Sequence, residues 1–147
     1  MKIYVIGSLR NPLVPEVANI LRVQKYDVFD DWFAAGCRFC EHSADESWRR
    51  YEEERDHSYS EALQGLAAEH IFNFDSKHLL TSDVGVMVLP AGRAAHLELG
   101  ILAGRGKPVF ILLSEQEDRW DIMYRWAIVC SSIPELLQKI KDIDEYC

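Results

Sequence analysis

Residues 82–113, SDVGVMVLPAGRAAHLELGILAGRGKPVFILL, read as a strand, a short loop, a helix and a second strand. VGVMVLP is apolar at nearly every position, as a strand covered on both faces must be, and KPVFILL repeats that pattern after a helix of about a dozen residues. Two strands joined by a helix form a parallel crossover unit. The loop Pro90-Ala91-Gly92-Arg93 therefore lies at the carboxyl end of a strand, where open α/β sheets hold their ligands. Glu98, one turn into the following helix, is expected to face that crevice.

Outward from this stretch, Lys2 to Gly7 is a first strand, followed directly by the polar turn Ser8-Leu9-Arg10-Asn11. Pro12 and Pro15 suit the first turn of a helix whose apolar residues Leu13, Val17, Ile20 and Leu21 recur at helical spacing as far as Gln24. Tyr26 to Phe29 is a second strand. Asp30 to His42, DDWFAAGCRFCEH, breaks the pattern into an aromatic loop of a length that usually carries function. Ser43 and Glu46 have capping-box spacing, and Trp48, Tyr51, Arg55, Tyr59, Ala62 and Leu66 then fall on one face of a helix. A further helix runs from about Ala67 to Ser82 and carries Asp75.

Beyond the central unit come a polar loop at Ser114–Glu117, a short helix at Asp118–Tyr124, a last strand at Ala127–Cys130 and a closing helix at Ile133–Ile143. Together these predict an α/β fold: a flavodoxin-like three-layer sandwich with a five-stranded, mostly parallel sheet in order 2-1-3-4-5. The 147 residues suit a single domain, with an aromatic and charged insertion at about 30–70.

The net charge of -8 excludes a nucleic-acid polymer as partner, since phosphate contacts need a basic face. A small nucleotide remains compatible. No apolar run approaches membrane-spanning length and MKIYVIG is too short for a signal peptide, so a cytoplasmic protein with no membrane partner is expected. Cys37, Cys40, Cys130 and Cys147 then read as reduced thiols. Cys37-x-x-Cys40 with His42 lacks a second ligand pair at structural-zinc spacing, so no metal is expected, and no other cofactor is called for.

Several side chains could carry chemistry. A helix start near Arg93 puts Glu98 close to the positive end of the helix dipole, and an ionised carboxylate there can attack an electrophilic carbon. A solvent-facing helical glutamate is the ordinary alternative. Asp75 sits among apolar and aromatic neighbours in IFNFDSKHLL, where a buried carboxylate needs a partner, although a helix cap or a surface position also fits. Asp83 opens a strand and reads as structural. Tyr4 on the first strand can present its phenol to the crevice or close the core. Gly7, Ser8, Arg10 and Asn11 form a short loop whose amides and guanidinium could hold an anion such as phosphate. Trp32 and Phe33 could stack on a planar base or close the core.

With Tyr4, Asp75 and Glu98 in view together, the chain resembles the nucleoside 2-deoxyribosyltransferase family, which includes the nucleoside 5'-monophosphate N-glycosidases. The resemblance is carried by KIYVIGS, FDSKHLLTSDVGVMVLP and HLELGILAGRGKPVFIL. The family pattern of a first-strand tyrosine, an aspartate before the third strand and an E-L-G motif followed by G-K-P-V matches Tyr4, Asp75, Glu98-Leu99-Gly100 and Gly106-Lys107-Pro108-Val109.

That resemblance implies that Glu98 attacks C1' of the sugar and holds it as an ester, that Asp75 manages the proton of the leaving base, and that Tyr4 orients Glu98. It implies retaining glycosyl transfer from a nucleoside or nucleotide to a second nucleobase or to water. Gly92 and Arg93 would lie beside the substrate. At Gly92 the chain departs from the pattern, because transferases carry an acidic residue there and the monophosphate hydrolases a serine. Gly7-Ser8-Leu9-Arg10 looks like the hydrolase version and points to a 5'-phosphate. Family members complete their sites from a neighbouring subunit, which makes a homo-oligomer the expectation and Trp120, Met123 and Tyr124 the corresponding residues. An NAD-cleaving module and a non-catalytic nucleotide-binding protein are the alternatives on the same fold.

Overall fold

The computed structural model describes residues 1–30, 44–117 and 119–146, with the side chains of 44–47 left aside. Asp30–His42 and the Ser43 cap, including Trp32, Phe33, Cys37, Cys40 and His42, thus fall outside the described residues apart from Asp30. The chain divides into two compact units, Met1–Asp30 with Thr81–Cys147, and Asp31–Leu80.

The first unit holds the whole sheet: β1 (Lys2–Ile6), β2 (Asp27–Phe29), β3 (Val84–Val88), β4 (Val109–Leu112) and β5 (Ile128–Cys130). Their order is β2-β1-β3-β4-β5 and every pairing is parallel, with Ile6 opposite Met87 and Val88 opposite Leu112. This is the expected topology. All five residues of β3 and all four of β4 are buried, as continuous apolar strands require. Helices α1 (Leu13–Val23), α5 (Arg93–Gly104) and α6 (Ile133–Tyr146) pack on the sheet through Val14, Val17, Leu21, Leu99, Leu102, Leu136 and Ile140.

Strand ends are fixed by specific groups. Asp83 accepts the Lys2 amide at 2.7 Å and returns its own amide to the Lys2 carbonyl at 2.8 Å, the structural role expected of it. Gly106, at φ +72°, makes the left-handed turn after α5 that leads into β4, and Lys107 donates to the Ser82 carbonyl.

The second unit consists of α2 (Ala44–Glu53), α3 (Tyr59–Leu63) and α4 (Leu66–Leu80). The single helical face predicted from Trp48 to Leu66 does not form. Asp56 adopts φ +56° and the amides of Arg55, Asp56 and His57 fold back onto the carbonyls of Glu52 and Glu53, closing the helix. A new helix then starts at Ser58, whose hydroxyl accepts the Glu61 amide while the Glu61 carboxylate accepts the Ser58 amide. Phase is lost at this break, and Leu66 ends 83% exposed. Periodicity alone ran across a capping box that it had no means to weigh.

Gly7 sets how closely α1 approaches the end of β1. A Cβ there would lie 2.4 Å from Val14 Cγ2 and 3.4 Å from the Val88 carbonyl oxygen, and Val14 is buried and β-branched. Gly7→Ala is therefore expected to cost about 1–3 kcal/mol through overpacking. In urea denaturation, Gly7→Ala with Val14→Ala should be less destabilised than the sum of the two single changes.

Candidate active site

Strand order reverses direction between β1 and β3, so the loops after these two strands flank the crevice. The first loop begins at Gly7. Ser8 Oγ accepts the Arg10 amide at 3.2 Å and the Ser8 carbonyl accepts the Asn11 amide at 3.0 Å, which makes a tight turn with Arg10 exposed at its tip. Asn11 is buried. Its Oδ1 accepts the Leu13 amide at 3.1 Å, and its Nδ2 donates to the carbonyls of Val88 and Pro90 at 3.4 Å each. The anion-binding reading therefore does not extend to the Asn11 carboxamide, which is committed to the protein.

The second loop runs from Leu89 to Gly92 and begins with a cis Leu89–Pro90 peptide. Gly92 is the N-cap of α5, with extended backbone and no side-chain cap, and an added Cβ there would meet nothing within 4 Å. Arg93 follows as the first helical residue and is exposed. Gly7, Ser8, Arg10, Gly92 and Arg93 thus stand on two loops that Asn11 ties together.

Glu98 lies in the second turn of α5 and is half-buried, on the flank of the stripe formed by Ala95, Leu99 and Leu102. The helix starts at Arg93 as expected, but Glu98 is roughly 7 Å along the axis from that start, where the dipole's influence has faded. Tyr4 is fully buried in the middle of β1, with its ring 5.0 Å from that of Phe29. Asp75 belongs to the second unit. It is half-buried in the middle of α4, so it is not a helix cap.

His96 was missed by sequence reasoning. Its Nδ1 lies 2.7 Å from the Gly92 carbonyl oxygen and its Nε2 lies 2.8 Å from the Tyr124 hydroxyl. A carbonyl only accepts, so Nδ1 carries a proton and donates it to the Gly92 carbonyl, while Nε2 pairs with the Tyr124 hydroxyl. The two rings stack at 5.7 Å and 23°. Burial, together with the Glu117 and Asp121 carboxylates, pushes the Tyr124 phenol above its ordinary value and keeps it neutral. His96 thereby links the start of α5 to the 3-10 helix Ile122–Trp126. The signal was a histidine four residues after the glycine that opens the helix. Trp120 and Met123, 92% and 61% exposed, project around this segment.

No protein-family model matches the chain, and no curated protein sequence does. Solved structures do resemble it. A conserved protein from Enterococcus faecalis V583 matches with a TM-score of 0.63 at 19% identity, over 97% of this chain and 98% of that one. A 2-deoxyribosyltransferase from Bacillus psychrosaccharolyticus matches with a TM-score of 0.61 at 16% identity, over 92% and 90% of the two chains. The fold is that of the nucleoside 2-deoxyribosyltransferases. The CMP N-glycosidase BcmB of Clostridium botulinum also matches, with a TM-score of 0.55 at 13% identity over 96% and 99%. On this deoxyribosyltransferase fold no described helix is long and apolar enough to cross a membrane.

Gly92 has the backbone of an N-cap and open space for a side chain. Gly92→Ser should therefore gain a cap hydrogen bond and raise stability by about 0.3 kcal/mol, read as a higher urea midpoint with an unchanged slope.

Proposed function

We propose that the chain cleaves the N-glycosidic bond of a nucleoside or deoxynucleoside and transfers the sugar to another nucleobase. One observation carries this reading: nearly the whole chain superposes on a 2-deoxyribosyltransferase, and Glu98 stands on the helix that follows the switch-point strand. In the first step a Glu98 carboxylate oxygen attacks C1' as the C1'–N bond breaks, and the bonding pair leaves with the base. Asp75 supplies the proton that the base nitrogen takes up. Tyr4 orients Glu98. In the second step an acceptor base attacks C1', Glu98 leaves as carboxylate, and Asp75 takes back the proton. Two displacements at one carbon retain its configuration.

A second reading is hydrolysis of a nucleoside 5'-monophosphate to free base and sugar phosphate, with water as the acceptor. It is supported by the likeness to a CMP N-glycosidase and by the turn that presents Arg10 beside Ser8, where a guanidinium can meet a phosphate. Gly92, Arg93 and Trp32 are the further substrate contacts in either case. We assign Trp120, Met123 and Tyr124 to the site of a neighbouring copy in a homo-oligomer, which their exposure permits for the first two.

The test is incubation with each deoxynucleoside and each 5'-monophosphate, with and without a second base, followed by chromatography. New nucleosides formed only with an acceptor identify a transferase, and free base with sugar phosphate regardless of acceptor identifies a hydrolase. Glu98→Gln should lower turnover by at least about a thousandfold with KM little changed, because it removes the nucleophile rather than a binding contact. Mass spectrometry of quenched wild-type protein should find a sugar adduct on the Glu98 peptide. Full activity in Glu98→Gln would end the proposal.

A further inference from the structure

The exposed face of α4, in the second unit, is arranged symmetrically about Asn73. Leu66 and Leu80 stand at equal distances on either side of Asn73, within about 20° of it around the helix axis. Glu69 and Lys77 stand at equal, shorter distances, within about 40°. All five residues are exposed. Along the face the order is apolar, acidic, neutral, basic, apolar.

The face also carries more apolar surface than a helix that meets only water requires. Leu66 and Leu80 are 83% and 42% exposed, and Phe72, 69% exposed, stands on the flank beside Asn73.

A second copy of α4 fits this face in one direction. With two copies parallel, Glu69 meets Glu69 and Lys77 meets Lys77, which repel. With two copies antiparallel about Asn73, each Leu66 meets a Leu80 and each Glu69 comes within reach of a Lys77. The two Asn73 carboxamides then meet at the two-fold axis, where each can donate to and accept from the other. Both Phe72 rings close the same edge of the seam. A helix of 15 residues is about 22 Å long, so the contact belongs with the small, transient interfaces.

We propose that two copies of this chain associate reversibly through α4, antiparallel about Asn73. The contact shares no residue with the 3-10 helix, and Asp75 lies about 160° around α4 from Asn73, outside it. Its readout is a crosslink rather than turnover, so it stands or falls separately from the reaction assigned to Glu98.

The experiment uses the full chain with Cys37, Cys40 and Cys147 replaced by serine, which leaves only the buried Cys130. In that background Asn73→Cys should form a reducible dimer under mild oxidation, because helices packed about 9–10 Å apart bring these Cα atoms to about 5 Å. Leu66→Cys, on the same face and 83% exposed, should not, because antiparallel copies hold it about 21 Å from its equivalent. Mixing Leu66→Cys with Leu80→Cys should give the mixed dimer. Added to Asn73→Cys, Glu69→Lys or Lys77→Glu alone should slow crosslinking about fivefold to tenfold, as two attractions become two repulsions. Both changes together should restore it. Residues eight apart on one helix do not meet, so restoration reports a contact between chains.

Any of four outcomes would overturn the inference: no Asn73→Cys dimer, a Leu66→Cys dimer that forms as fast, no mixed dimer, or a double charge change no faster than the single ones.

Discussion

The Asn11 carboxamide holds together the part of the molecule where chemistry is expected. Buried backbone carbonyls need partners, and those of Val88, the last residue of β3, and of Pro90 in the loop after it both turn to this side chain. One Asn11 Nδ2 serves both, while Oδ1 takes the amide at the start of α1. A hydrogen bond of this kind contributes only about 1 kcal/mol net, but a buried group left without it costs about 1–3 kcal/mol. The staple therefore matters chiefly through what its loss would strand: two carbonyls and one amide, in the two loops that carry Ser8, Arg10, Gly92 and Arg93. Gly7 makes the arrangement possible, since any side chain there would hold α1 away from β1.

The sheet was legible because its strands are buried on both faces and must be apolar throughout. VGVMV and VFIL read as buried parallel strands once a helical segment separates them, and the observed order β2-β1-β3-β4-β5 is the one expected. The helical unit between β2 and β3 was legible in helix content but not in its breaks. Tyr51 illustrates why. Its place on an apparent apolar face suggested burial, yet it lies under the Arg55 guanidinium, 3.5 Å from the ring centroid, in the last turn before the chain reverses at Asp56. Local hydrogen bonding at Ser58 and Glu61 outweighed a weak periodic signal, because a capping box satisfies two backbone donors at once and a surface apolar stripe gains little from remaining in phase.

In the candidate site, the positions of Glu98, Gly92 and Arg93 relative to the start of α5 could be read directly, since a helix must begin after the Pro90–Gly92 loop. The couplings could not. Asn11 looked like one more polar residue of an anion loop, and nothing in its neighbours tells that its partners lie almost eighty residues away. His96 is similar: its bond to Gly92 is local and has a recognisable spacing, but its bond to Tyr124 depends on where the 3-10 helix folds back. Long-range polar pairs leave no periodicity, so residue-type patterns find the chemical groups and miss what fixes them.

Helix α5 has to satisfy three surroundings at once. Ala95, Leu99 and Leu102 hold it to the sheet, Glu98 stands on one flank, and His96, Gly100 and Ala103 line a cavity on the other. A helix seated by one apolar stripe can slide or rotate on it, which would carry a carboxylate on its flank out of position. Here the rotation is checked at the N-terminus, where His96 bonds both the carbonyl of the residue that opens the helix and a hydroxyl on a separate element. Leu102 checks the other end, because its terminal methyl approaches the site of an absent Gly85 Cβ to 2.6 Å, a contact only glycine allows. Glu98 lies between these two restraints, so its placement depends on residues that take no part in the chemistry proposed for it.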